Sequence, residues 1–201
     1  MLICFEGLDG SGKTTAMTRI FDTLSKKYRV HKTFEPGGSL KFSIDMRKFI
    51  FDHINDNLSH MTELLLFQAV RTELYGKEVL PALLDEYIVL SDRCYISSLV
   101  YQGKCLLGDM QVVQDFLEAT FVRYPDIVFF FDVDVETALT RMSDNDPFKQ
   151  KGINYWKAAH AGYQEIFGKE QPFKTIRIDA NQSADNVFEQ LKHALINILP
   201  T

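Results

Sequence analysis

The stretch "CFEGLDGSGKTTA", residues 4–16, decides how the rest of the chain is read. Within it "GLDGSGKT", residues 7–14, matches a glycine, four residues and then Gly-Lys-Thr, between a short apolar run and the start of a helical pattern. A phosphate-binding loop requires that context. Glycines permit a sharp turn and bring backbone N–H groups near phosphate oxygens, and the following helix adds the positive end of its dipole. The candidates for holding a nucleoside triphosphate are Gly7, Leu8, Asp9, Gly10, Ser11, Gly12, Lys13, Thr14 and Thr15. Lys13 has the reach to meet the β- and γ-phosphates, and Thr14 offers a hydroxyl to Mg²⁺. The plainer alternative, a glycine-rich turn that only caps a helix, is disfavoured by that strand-before, helix-after context.

Outward from the loop, apolar runs alternate with longer amphipathic segments. "LICF" leads into a helical pattern over residues 13–27, then "RVHKTF", helical stretches near 40–52 and 62–77, and "YIVLS". A helical region through about Phe121 follows, then the β-prone "DIVFFFDV", helices over 135–142 and 154–167, "KTIRID" and a last helix near 184–198. This order predicts an α/β fold with a central, mostly parallel, five-stranded sheet flanked by helices. The length of 201 residues suits one domain, 1–201. The polar interruption "SDNDPFKQKG", 143–152, is either a mobile segment or an ordinary surface loop.

Composition narrows the possibilities further. The chain is 46% hydrophobic, yet no apolar run approaches the roughly 20 residues that cross a bilayer. The opening "MLICFEG" lacks the layout of a secretion signal, and Cys4, Cys94 and Cys105 have neither metal-ligand nor redox spacing. The expectation is a cytoplasmic protein whose cysteines serve as small apolar residues. A net charge of −5 recruits neither nucleic acid nor an anionic membrane, so an anionic ligand must meet a local basic cluster. Phosphate loops serve kinases, GTPases, motor ATPases and regulatory modules alike. No Asn-Lys-x-Asp guanine-reading tetrapeptide occurs here, which argues against a GTPase.

Five segments in order, "FEGLDGSGKTT", "EPGG" (35–38), "LLLFQAVR" (64–71), "DRCYISSLVYQG" (92–103) and "IDANQS" (178–183), resemble the thymidylate kinase family over nearly the whole chain. The resemblance implies a P-loop NTPase-type three-layer fold, ATP and dTMP as substrates, Mg²⁺ as metal and a homodimer. It also implies transfer of the γ-phosphoryl group to the 5′-phosphate of dTMP.

The residues support that site singly, each with an alternative. Phe67 and Arg71 are four apart in a helical pattern, so one face can stack on a base and donate to its carbonyl edge. Of the sixteen phenylalanines most must be core, and on the residues alone that is the stronger reading of Phe67. Asp92 and Arg93 end a strand on the ligand side of an open sheet, where they can hold a metal through water and grip a phosphate, or else pair with each other at the surface. The resemblance gives Asp92 to the metal beside Thr14, and Arg93 to the acceptor phosphate or sugar region.

Ser97, Ser98, Tyr101 and Gln102 form a polar cluster on an apolar segment, although the serines could simply face solvent on a helix. By resemblance Gln102 and one serine meet the thymine edge, and Tyr101 crowds the deoxyribose against a 2′-hydroxyl. Likewise Asp9 would accept from the acceptor 3′-hydroxyl, Glu35 and Pro36 would belong to the acceptor loop, and Arg47 would meet the acceptor phosphate. Arg47 lies one residue farther from "EPGG" than is usual, and a solvated helix charge is its alternative. Ala180 and Gln182 lie in the loop that touches adenine in the family, a loop that also reads as a turn N-capped by Ser183. Arg141 is the candidate to stack on that base.

The expected catalytic set is Lys13, Asp9, Arg93, Lys149 and Lys151. Family members without a basic residue inside the phosphate loop usually carry several arginines in the lid. This lid, 143–152, has only the two lysines, with Asp144 and Asp146 nearby. Lysine lacks arginine's planar fork. Two other readings therefore stay open: a kinase for another deoxynucleotide or a deoxynucleoside, and a nucleotide-binding protein with little catalysis.

Overall fold

The computed structural model describes residues 1–53, 58–120, 123–144, 148–196 and 198–199. The predicted helix end at Phe121, residues 145–147 of the polar interruption, and residue 197 of the last predicted helix lie outside them.

Among the described residues five strands form one sheet: β1 (Leu2–Gly7), β2 (Val30–Phe34), β3 (Ile88–Asp92), β4 (Ile127–Asp132) and β5 (Lys174–Asp179). Every pairing is parallel and the order is β2-β3-β1-β4-β5. The expected mostly parallel sheet is thus parallel throughout. Both faces of such a sheet must be covered, which explains why β4 reads "IVFFFD" without alternation. Phe129 and Phe131 of β4 pack against Phe5 of β1, with ring centroids 5.5 and 6.1 Å apart.

The helices are α1 (Lys13–Leu24), α2 (Lys41–Asp52), α3 (His60–Leu74), α4 (Leu80–Leu84), α5 (Tyr95–Ser98), α6 (Met110–Ala119), α7 (Val135–Arg141), α8 (Ile153–Phe167) and α9 (Ala184–Ile196). With the right-handed crossovers that parallel strands take, this order runs the β1-to-β2 connection along one face of the sheet and the three connections in the opposite direction along the other. In keeping with this, α1 packs on α9, while α8 packs on the segment after α5. β1 and β3 are neighbours whose outgoing connections leave to opposite faces, so the crevice at their carboxyl ends is a topological switch point.

Two segments depart from the helical expectation. The helix predicted over 62–77 starts at His60, changes to π-helical winding over Tyr75–Val79, and resumes as α4. The wider turn restarts the regular pattern at Leu80, so Pro81 falls in a first turn, where its missing N–H costs little. The stretch Leu99–Leu107 is also π-helical, and it carries Tyr101 and Gln102. Part of the predicted polar interruption is ordered as a 3₁₀ turn, Lys149–Lys151. Among the described residues no helix is long and apolar enough to cross a membrane.

Candidate active site

The phosphate loop leaves β1 at its carboxyl end and feeds α1, as the sequence predicts. Gly12 caps α1 in a left-handed conformation, φ +87°, which glycine adopts without strain. Gly10 is required by contact, because a Cβ there would stand 2.2 Å from the Ala138 carbonyl oxygen. Lys13 is buried, and its Nζ donates to the carbonyls of Gly7 (2.9 Å) and Leu8 (2.7 Å) and to Ser11 Oγ (3.3 Å). Burial lowers its pKa to about 8, helped by Arg93 and opposed by Asp9 and Asp92.

Asp92 and Arg93 stand beside that loop because β3 pairs with β1, Phe5 opposite Asp92. They do not pair with each other, which corrects the surface ion-pair alternative. Thr14 Oγ1 donates to Asp92 Oδ2. Arg93 takes φ +75°, uncommon for a residue with a Cβ, and its partly buried guanidinium donates to Asp9 Oδ1 (2.5 Å), Ser97 Oγ (2.8 Å) and Tyr163 Oη (3.2 Å). Burial works against ionised Asp9, but Arg93 and Lys13 outweigh it and hold the carboxyl below the usual range. The hydroxyl of Thr14 and the carboxylate of Asp92 are hard oxygen donors that suit a Mg²⁺ completed by phosphate oxygens and water. Among the described residues no group of three or more His, Cys, Asp or Glu is arranged to hold a metal alone.

The phosphate loop opens onto one cleft, lined by Lys13, Thr14 and Asp92, and a second cleft, of about 380 Å³ and of a size for a small molecule, opens next to it. Phe67 lines it instead of filling the core, and Arg71 lies one turn on along α3. Arg71 is buried, with Nε donating to Glu35 Oε2 (2.7 Å), Nη1 to Gln68 Oε1 (2.6 Å) and Nη2 to Ser98 Oγ (2.9 Å). Burial pushes the Glu35 carboxyl up, and Arg71 pulls it back. Ser97 and Ser98 face inward, which overturns their solvent-facing alternative. Tyr101, Gln102 and Pro36 also line this cleft. The Glu35–Pro36 peptide is cis.

Arg47 is no free surface charge. It donates to the Pro36 carbonyl at 2.6 Å, lies over the Phe51 ring at 4.5 Å, and lines both clefts. Arg141 donates to the Ala180 carbonyl (2.6 Å) and the Gln182 carbonyl (3.3 Å), and with Gln182 and Thr15 it lines a smaller recess beside α1. Ser183 Oγ accepts from Asn186 N at 3.3 Å, so the turn and cap reading holds as well. Lys149 and Lys151 line none of these clefts. Lys149 bonds Asp144 Oδ1 (2.7 Å) and the Met142 carbonyl (3.1 Å), and Lys151 lies over the Tyr155 ring at 5.2 Å. Lys149 thus has a local counter-ion, and Lys151 only a ring contact. Asp146 lies outside the described residues.

Sequence reasoning missed several participants. Glu6, fully buried in β1, accepts from Cys94 N (2.7 Å), Ser97 Oγ (2.9 Å) and Tyr163 Oη (2.9 Å), which fixes the start of α5 beside Arg93. An acid inside the apolar "LICFEG" was the available signal. Glu63 lines the second cleft and accepts from Gln102 Nε2 at 2.9 Å.

Glu78, on the π-helical turn before α4, fastens the loop after β2 by accepting from Ser39 N (2.8 Å), Ser39 Oγ (2.7 Å) and His31 Nε2 (2.9 Å). Burial alone would push its carboxyl up; hydrogen bonds from His31 and Ser39 prevail and hold it at about 2 instead of 4.5. A depressed carboxyl contributes stability that is complete above its unfolded pKa and lost as pH falls through the folded one. Wild type is therefore expected to exceed Glu78→Gln in urea-melt stability by about 2 kcal/mol at pH 7. The margin should shrink as pH falls from 4.5 toward 2. A pH-independent margin would refute the assignment.

The loop, the strand-end residues Asp92 and Arg93 and the aromatic cleft adjoin one another as two clefts with shared walls. The thymidylate kinase family model matches residues 5–191. The thymidylate kinase of Finegoldia magna is 40% identical over 195 residues, covering 94% of this chain and 95% of that protein. That of Staphylococcus epidermidis is 33% identical over 204 residues, covering 98% of each. The crystal structure of thymidylate kinase from Ehrlichia chaffeensis aligns with a TM-score of 0.79 at 30% identity, covering 98% of each chain. With sequence, fold and cleft in agreement over nearly its full length, the chain belongs to the thymidylate kinase family.

Proposed function

We propose that the chain transfers the γ-phosphoryl group of ATP to the 5′-phosphate of dTMP, giving dTDP and ADP. One observation carries this reading: Asp9, Glu35, Arg47 and Arg93 line both clefts. A nucleotide cradled by the loop and another with its base against Phe67 would meet there, phosphate to phosphate. An acceptor phosphate oxygen is already anionic, so it attacks the γ-phosphorus without a general base. The new P–O bond forms as the bond to the β-phosphate oxygen breaks, and ADP leaves.

The chain's contribution is alignment and charge compensation. Lys13 neutralises the donor's outer phosphates, while Arg47 and Arg93 draw the acceptor phosphate toward them. A Mg²⁺ held by Thr14, and through water by Asp92, would add further charge neutralisation. On the acceptor side Phe67 stacks on the base, Arg71 donates to its carbonyl edge, Tyr101 excludes a 2′-hydroxyl, and Asp9 accepts from the 3′-hydroxyl. On the donor side Arg141 and the loop around Ala180 and Gln182 flank adenine.

A coupled assay with ATP and Mg²⁺ across dTMP, dUMP, dCMP, dGMP and thymidine tests the reading. Preference for dTMP supports it. Preference for a purine rejects the roles of Phe67, Arg71 and Gln102. Binding of ATP and dTMP without product would make the chain a nucleotide-binding protein, an outcome that keeps its interest because Lys149 of the lid is paired with Asp144.

In this reading residues 1–201 act as one kinase unit with 143–152 as its lid. Lys149→Ala together with Lys151→Ala should lower kcat more than dTMP affinity, and an unchanged kcat would remove the lid from the mechanism. A homodimer is also proposed. Phe42 and Phe49 on α2, and Met61 and Leu65 on α3, are exposed on two helices that pack together. Light scattering should give about twice the 23.1 kDa of one chain, and a monomeric mass would reject the dimer. The free cysteines suit a cytoplasmic location, which cell fractionation checks.

A further inference from the structure

We infer that Glu63 sets the pyrimidine preference by fixing which end of the Gln102 amide faces the acceptor cleft. The inference rests on the proposed acceptor site and adds to it a positioning residue that touches no reacting atom.

Gln102 is buried on the π-helical stretch, and its Nε2 donates to Glu63 Oε1 at 2.9 Å. Both residues line the cleft with Phe67 and Arg71. A primary amide is nearly isosteric about its own axis, so packing alone scarcely distinguishes its oxygen from its nitrogen. A carboxylate does distinguish them, because it carries no hydrogen and can only accept. Glu63 therefore takes the NH₂ end and leaves Gln102 Oε1 as an acceptor, which no donor among the described residues engages.

Arg71 supplies the opposite polarity. Three of a guanidinium's five N–H bonds go to Glu35, Gln68 and Ser98, and two are left to donate. The base therefore meets donors from Arg71 and an acceptor from Gln102. Thymine and uracil present carbonyl oxygens beside an N3–H, the complement of that pattern. Cytosine presents an amino group and a bare N3, which would set donor against donor and lone pair against lone pair. Discrimination of this kind comes from leaving buried polar groups unpaired with the wrong ligand.

The test measures kcat/KM for dTMP, dUMP and dCMP in wild type, Glu63→Gln, Gln102→Leu and the double variant. Glutamine at 63 keeps size and hydrogen bonding but can accept or donate, so the Gln102 amide is freed to turn over. The expected result is a dTMP:dCMP ratio about tenfold lower in Glu63→Gln, with dUMP following dTMP and KM for ATP unchanged. A residue that only supports the fold would leave the ratio intact in this isosteric variant, and an intact ratio overturns the inference. In the Gln102→Leu background the Glu63→Gln change should move the ratio no further, and additive effects would also overturn it. If wild type shows no preference for dTMP over dCMP, the acceptor reading falls and takes this inference with it. If wild type shows the preference and Glu63→Gln retains it, only the role of Glu63 falls.

Discussion

Arg93→Lys is expected to lower kcat by about 10²–10³, with a smaller effect on KM for ATP. Lysine keeps the positive charge that the buried Glu6 and the half-exposed Asp9 face, with Glu6 Oε2 lying 3.9 Å from the guanidinium, so the fold should survive. What it loses is the planar fork. Arg93 reaches Asp9, Ser97 and Tyr163 from one rigid group, aimed by a left-handed backbone. A point charge on a flexible stem cannot hold that orientation while two phosphates exchange a phosphoryl group. Such a loss belongs to the transition state, so it should appear in kcat more than in substrate affinity. Steady-state kinetics with a thermal melt on the same sample separates this from unfolding. A kcat within about threefold of wild type, in a folded variant, would remove Arg93 from charge compensation.

Features written in contiguous residues were legible beforehand. The phosphate loop was one, since its glycines, lysine and following helix are local. The parallel sheet was another, because "DIVFFFDV" and "YIVLS" are apolar on both faces, as doubly covered strands must be. What stayed hidden depended on distant segments meeting. Glu6 and Tyr163 are 157 residues apart, and no pattern in either neighbourhood names the other. Glu63 reads as an ordinary first-turn acid of α3 until the π-helical stretch brings Gln102 against it. That winding escapes a search for 3.6-residue periodicity, since it follows from tertiary packing. Counting two lysines in the lid likewise says nothing of Asp144, which engages one of them.

The loop lysine makes the second large prediction. In Lys13→Met, kcat/KM for ATP should fall about 10³-fold, because the lost cation is buried, where few water dipoles can replace it. The same burial makes a second, independent readout available in wild type. Without nucleotide, Lys13 donates to two loop carbonyls and a serine hydroxyl, and its pKa stands at about 8. The protonated form is the one that attracts polyphosphate. Raising the pH above 8 therefore depletes the binding-competent free enzyme, and kcat/KM for ATP should drop toward tenfold per pH unit. Bound phosphates add negative charge beside the ammonium and lift its pKa, so kcat at saturating ATP should persist to higher pH. If kcat/KM stays flat through this range, Lys13 is not the titrating group. The same conclusion follows if Lys13→Met keeps the wild-type inflection in whatever activity remains, since a group that has been removed cannot titrate.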